Sequence, residues 1–181
     1  MRRCLALVLL SLLVSGCASV TGSTSDESLD ALTQVNHRAV DQLLAGIPSG
    51  HALNRQQPIV VASLVNIDDL SSSRLGRMLS EQLATRLTQS GYSVVELKLR
   101  DSIFVKQMQG ELLLSREIKD ITLTHKAQAV LVGTYAESSG QIYLTIKLVG
   151  VGDNLVISAQ DYLLPLNSNV RSLLWSSARQ P

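Results

Sequence analysis

Pro58-Ile59-Val60-Val61-Ala62-Ser63-Leu64-Val65 is a run of strand length that is apolar at nearly every position. A half-buried strand would alternate, because successive side chains point to opposite faces of a sheet. A run without alternation suits a central strand covered on both sides, the usual state of parallel sheets. The next stretch supports that reading. Asn66 to Ser73 is a polar loop rich in capping residues, and Leu75, Met78, Leu79, Leu83 and Leu87 then recur at spacings of three or four. That spacing predicts an amphipathic helix, with Gly91 placed where helices commonly end on glycine. Tyr92 to Leu99 alternates, putting Val95, Leu97 and Leu99 on one face. Strand, helix, strand in this order predicts parallel pairing with a right-handed crossover.

Arg100 to Gly110 is irregular, and the sequence reads it as a loop with apolar members Ile103, Phe104, Val105 and Met108. Leu114, Ile118, Ile121 and His125 predict a second helix, with Arg116, Glu117, Lys119 and Asp120 facing mostly outward. Ala129 to Tyr135 reads as another buried strand. Glu137 to Gly140 turns the chain into a segment where Ile142, Leu144, Ile146 and Leu148 alternate with Tyr143, Thr145 and Lys147. Gly150 to Asn154 signals a hairpin, and Leu155 to Tyr162 a return strand. A short piece around Val170 to Trp175 ends the domain.

Upstream, Asp26 or Ser28 can cap a helix running to about Ala45, striped by Leu32, Val35, Ala39, Leu43 and Ile47. Its polar face carries Asp30, Gln34, Arg38 and Asp41. Packing on its own domain is the simple reading of this stripe; the alternative is contact with a partner helix near a membrane. The expected fold class is α/β (α+β): an N-terminal helix over residues 26–50, then a β-α-β-α-β-β-β mixed-sheet domain over 51–181.

Composition narrows the function. The chain has 181 residues, 45% of them hydrophobic and 17% charged, with a formal net charge of +1. Enough apolar surface is present for one packed domain, and no clustered basic excess points to nucleic acid. Both cysteines, Cys4 and Cys17, lie at the extreme N-terminus, so the body offers no disulfide framework, Cys-based zinc site or catalytic thiol.

The N-terminus indicates a compartment. Met1-Arg2-Arg3 is a short basic start, and Leu5 to Val14 is apolar apart from Ser11. A membrane-spanning helix needs about 20 residues, so this segment has the layout of a signal peptide. It ends in Leu13-Val14-Ser15-Gly16-Cys17, which resembles the lipobox of bacterial lipoproteins. The resemblance implies removal of residues 1–16 and lipidation of Cys17, with several acyl chains, palmitate among them. More than one chain anchors stably, whereas a single chain binds only marginally. Ala18 rather than Asp follows Cys17, a pattern that resembles outer-membrane sorting and implies the periplasmic face, with exposure at the cell surface as the other outcome. Residues 17–25 form the lipidated tether. At up to about 3.6 Å per residue, the segment from Ala18 to Ser25 reaches roughly 29 Å.

Little in the body suggests catalysis. His37, His51 and His125 are far apart and lack the two-His helical spacing of a zinc site. Asp68-Asp69 falls at the carboxyl end of the first central strand, where open α/β sheets often bind ligands. A metal or catalytic pair there competes with the simpler reading of a capped, solvated turn. Gly150-x-Gly152 sits in a hairpin without a following helix, and no G-x-S-x-G occurs. Arg77 and Glu81 are an ordinary helical pair. The expectation is no enzyme, no metal and no cofactor.

Ile59–Asn66 followed by Ser73-Arg74-Leu75-Gly76-Arg77-Met78-Leu79-Ser80-Glu81-Gln82-Leu83 closely resembles the FlgO family of flagellar outer-membrane lipoproteins. So do Gly91 to Ile103, Gly110 to Glu117 and Ala129 to Tyr135, together spanning about residues 58–165. The resemblance implies a structural or assembly role for the flagellum at the outer membrane, needed for motility. Its partners would be basal-body or outer-membrane ring proteins and further copies of the chain. The core is also similar to the small α/β domains of the TolB amino-terminal and curli-secretion type. The alternative is therefore another envelope assembly or secretion-channel accessory lipoprotein. Phe104, Val105 and Arg116 are the candidate partner contacts; Arg100 paired with Glu117 is the competing, purely internal arrangement.

Overall fold

The computed structural model describes residues 24–97, 104–106, 112–114 and 116–175. It separates into two compact units, Met1–Asp30 and Ala31–Pro181. The second unit carries the sheet and core described below. Helix α1 spans Thr24–Ala45, opening two residues before Asp26. A single 3₁₀ turn, Ser49–His51, leads toward strand β1, Ile59–Ala62. The apolar run then breaks at Ser63-Leu64 and resumes as β2, Val65–Asn66. Helix α2 covers Arg74–Gln89 and β3 covers Val94–Leu97.

The segment expected to be a loop contains strands. β4, Phe104–Lys106, pairs antiparallel with β5, Leu112–Leu114, in a separate two-stranded sheet. Leu114 is therefore a strand residue, and helix α3 covers only Arg116–Thr124. Spacings of three and four misassigned Leu114 because a short apolar run fits helix and strand equally well. β6 (Ala129–Glu137), β7 (Gln141–Gly150) and β8 (Val156–Pro165) follow, then α4 (Ser168–Trp175).

The main sheet has six strands in the order β3-β1-β6-β7-β8, with β2 also pairing β6. β1 runs parallel to both β3 and β6, as the strand–helix–strand pattern predicted. β6, β7 and β8 form an antiparallel meander, bulged at Leu148/Val149. Its two faces have different covers. α1, α2 and α4 bury Leu43, Leu79, Leu83, Leu87 and Val170 against Ile59, Val61, Leu131, Leu144 and Ile146. On the opposite face Ile118 of α3 packs with Val60, Ala62, Val130 and Val132. That double cover is why β1 and the first part of β6 lack alternation. β7, covered on one face over most of its length, alternates strictly from Gln141 to Leu148.

α2 lies unusually close to the strand it follows. A Cβ at Gly76 would stand 2.0 Å from the Leu64 carbonyl oxygen, and the Leu64 N–H donates to the Gly76 carbonyl at 3.3 Å. At the other end Gly91, at φ +86°, ends α2 as its sequence position suggested. No helix among the described residues is long and apolar enough to cross a membrane.

Candidate functional site

Open α/β sheets bind ligands beyond the carboxyl ends of their parallel strands, so the loop from β2 to α2 is the first place for a site. The side chains of Asn66 and Asp69 hold the turn. Asn66 Oδ1 accepts from the Asp68 N–H at 2.8 Å, and Asp69 Oδ1 accepts from the Ser71 N–H at 2.8 Å. Leu70 takes a left-handed φ of 58°, its side chain buried and its N–H donating to the Asn66 carbonyl at 2.8 Å. Asp68 and Asp69 are exposed, and no group of three or more His, Cys, Asp or Glu among the described residues can hold a metal ion. The solvated turn expected at Asp68-Asp69 is present, but Ser73 rather than either carboxylate caps the following helix.

Beneath that turn lies a buried pair that sequence alone did not reveal. Ser73 caps α2, its Oγ accepting from the Gly76 N–H at 2.9 Å. The Tyr135 hydroxyl, brought in from β6, donates to the same oxygen at 2.7 Å. Burial raises the Tyr135 hydroxyl pKa above the ordinary tyrosine value; the bond to Ser73 opposes this in part, and the charges of Asp69 and Glu137 add to it. Tyr135 therefore remains a protonated donor that ties β6 to the start of α2. The polar loop Asn66 to Ser73 was readable as a supply of capping residues; no local signal marked the tyrosine partner 62 positions away.

A small cleft at the carboxyl ends of β1 and β3 is lined by Ser63, Arg77, Ser80, Glu81, Glu96 and Leu97, among others. At ≈ 10 Å³ it has room for about one water molecule and none for a metabolite. Arg77 and Glu81 thus share a water-sized recess on the surface of α2.

α1 from Leu32 onward packs on its own domain. Leu32, Ala39, Val40 and Leu43 are buried, whereas Gln34 and Arg38 are exposed as expected. Asp41 is exposed too, yet it receives both Arg86 Nε and Nη2 at 2.8 Å. Asn36, fully buried, donates through Nδ2 to Gln82 Oε1, and Gln82 Nε2 donates to Thr33 Oγ1 at 3.1 Å. Ser158 Oγ of β8 donates to the Leu43 carbonyl at 2.7 Å. These polar contacts fix how α1 sits, and none follows from its apolar stripe.

The histidines stay apart: His37 on α1, His51 in the 3₁₀ turn and His125 just after α3. Of the candidate partner contacts, Phe104 and Val105 occupy β4 opposite Leu114 and Leu113, and Arg116 opens α3. Cys17, Arg100 and Asp101 lie outside the described residues.

Together these features define a small, two-sided α/β module: the parallel strands β1, β2, β3 and β6 continued by an antiparallel meander, with polar residues at the strand ends holding turns and caps. The FlgO protein family model matches residues 37–169, and the chain belongs to that family. No curated protein matches the sequence. Among solved structures, the LpoB C-terminal domain from Salmonella enterica is similar at a TM-score of 0.51 and 15% identity, covering 74% of this chain and 97% of that one. The NMR structure of Escherichia coli LpoB gives 0.50 and 16%, covering 74% and 68%. PelC from Paraburkholderia phytofirmans, a dodecamer, gives 0.47 and 18%, covering 70% and 88%. The LpoB likeness shows that the two chains share a fold.

Proposed function

We propose that the chain is an envelope lipoprotein held at the outer membrane through Cys17, with a structural role in assembling or stabilising the flagellum where it crosses that membrane. The FlgO family match over residues 37–169 carries this reading. The lipobox Leu13-Val14-Ser15-Gly16-Cys17 supports it from an independent stretch of sequence. Residues 1–16 are the signal peptide in this reading, and the tether expected over 17–25 ends at residue 23, because α1 opens at Thr24. Assembly rather than catalysis is favoured by what the described polar residues do: Asp69, Ser73, Tyr135 and Asn66 are engaged in turn, cap and strand contacts. Basal-body or outer-membrane ring proteins are the proposed partners.

A deletion strain tests the reading. Loss of swimming or a change in filament number, restored by the intact gene, is the expected result. Normal motility with a defect in secretion would favour an accessory of a secretion channel instead.

A further inference from the structure

β8 is the last strand of the main sheet on its antiparallel side: β7 pairs along one edge, and no described strand lies along the other. Along its ten residues, Val156–Pro165, every second residue turns its backbone N–H and C=O away from β7. The Asp161 carbonyl also accepts from Gln160 Nε2 at 2.7 Å, a side-chain bond that pairing at this edge would displace. Native edges are usually blunted by shortness, by lysine or by an internal proline. β8 has none of these: its single charged residue is Asp161, and its proline is the terminal residue. Its bulge at Ile157, opposite Leu148/Val149, lies near the Val156 end and leaves Ser158–Pro165 regular. The adjoining sheet face is also open. Tyr143 and Leu163, paired across β7 and β8, are 53% and 45% exposed, and Val156 is 52% exposed.

We propose that β8 pairs antiparallel with β8 of a second copy of this chain, about a two-fold axis at Gln160, joining two sheets into one. The register within the hairpin selects both the occupant and the axis. Asp161 lies opposite Thr145 and accepts its hydroxyl at 2.7 Å, whereas Ala159 lies opposite Lys147. With the axis at Gln160, Asp161 faces Ala159 of the second copy. One cross-strand row then reads Thr145, Asp161, and Ala159 and Lys147 of the second copy. Asp161 and that lysine stand two strands apart, about 9.6 Å at the backbone. Only an alanine side chain separates them, so the four-methylene lysine stem can lean across to the carboxylate. Symmetry makes this contact twice. An axis at Asp161 would instead oppose two like charges, which is unfavourable, and an axis at Tyr162 would set Asp161 against Leu163.

The test uses the full chain purified in detergent and the same chain in its native membranes. Sedimentation should show a dimer. Asp161→Lys and Lys147→Asp should each reduce it to monomer with the thermal midpoint of a folded domain retained, and the double variant Asp161→Lys/Lys147→Asp should restore the dimer. In membranes, Gln160→Cys should give a disulfide-linked dimer on oxidation, and Thr145→Cys, away from the axis, should not. Single variants that remain dimeric, or a double variant that stays monomeric, would show that the proposed row is wrong. A wild-type chain that is monomeric in detergent, with no Gln160→Cys disulfide in membranes, overturns the proposal. Loss of motility in Asp161→Lys of such a monomer would assign the edge to a strand of another protein.

Discussion

Ser73 Oγ accepts from two donors at once, the Gly76 N–H and the Tyr135 hydroxyl. Removing it should therefore cost more than removing either partner. Ser73→Ala forfeits an N-cap, about 1 kcal/mol, and strands a buried phenol, roughly another 1–2 kcal/mol. Tyr135→Phe keeps the cap and should cost about 1 kcal/mol. Urea midpoints at unchanged slope measure both; a Tyr135→Phe variant at the wild-type midpoint would show that the tyrosine bond contributes nothing, and equal losses in the two variants would show that the cap adds nothing to it. Tyr162 provides the contrast. It is largely buried, its hydroxyl has no hydrogen-bond partner among the described residues, and burial raises its pKa strongly. A raised folded-state value means stability is complete below the ordinary tyrosine pKa of about 10 and is lost as pH rises beyond it. Tyr162→Phe should thus be neutral or slightly stabilising at neutral pH and should outlast the wild type above about pH 10. A melting scan across pH checks this, and a curve parallel to wild type would refute it. The sequence read Ala129 to Tyr135 as a buried strand, but it disclosed neither the partner of the Tyr135 hydroxyl nor the burial of Tyr162. Tyr135 ended an apolar run and Tyr162 closed a return strand, and a phenol fits the surface and the core equally well.

At the scale of elements, sequence disclosed what periodicity encodes. The nearly continuous apolar run Ile59–Val65, the leucine stripe of α2 and the alternation of β7 were each readable, because burial on two faces, one stripe or one face leaves a distinct pattern. The short pieces were not. β4 and β5 have three residues each, too few for a period to show, and β2 is a two-residue continuation after a break. The polar joints of α1, Asn36 with Gln82 and Asp41 with Arg86, escaped because they connect residues 46 and 45 positions apart. The spacing of α2 from the sheet is a consequence of a single glycine. Gly76→Ala would drive a methyl into the Leu64 carbonyl, so helix or strand must shift, and overpacking of this kind costs about 1–3 kcal/mol. Gly140→Ala, with nothing within 4 Å of the added carbon, is the control and should stay near wild type. Equal midpoints for the two variants would mean that α2 accommodates the methyl without strain.

For the whole molecule, the described core is bracketed by Leu32 and Val170. Its stability is supplied by the sheet and by the helices packed on it, while the proposed anchor, Cys17, belongs to the other compact unit. Folding and anchoring should consequently separate cleanly. Cys17→Ser removes the thiol that lipidation requires without touching a core side chain. The variant should melt at the wild-type temperature, retain an unmodified N-terminal mass and leave the outer-membrane fraction. Motility should fall with it, because a domain that acts by assembly needs to be held at the membrane where its partners collect. Reach adds a second arm. α1 opens at Thr24, so only the segment from Ala18 to Ser23 separates it from Cys17, and that segment spans at most about 3.6 Å per residue. Inserting a Gly/Ser-rich segment of about twenty residues between Gly22 and Ser23 would add roughly 25 Å of average reach and leave anchoring intact. If proximity to the membrane is what the anchor supplies, Cys17→Ser should abolish swimming and the insertion should weaken it. Full swimming by a Cys17→Ser protein that has left the membrane would show that the domain finds its partners without an anchor.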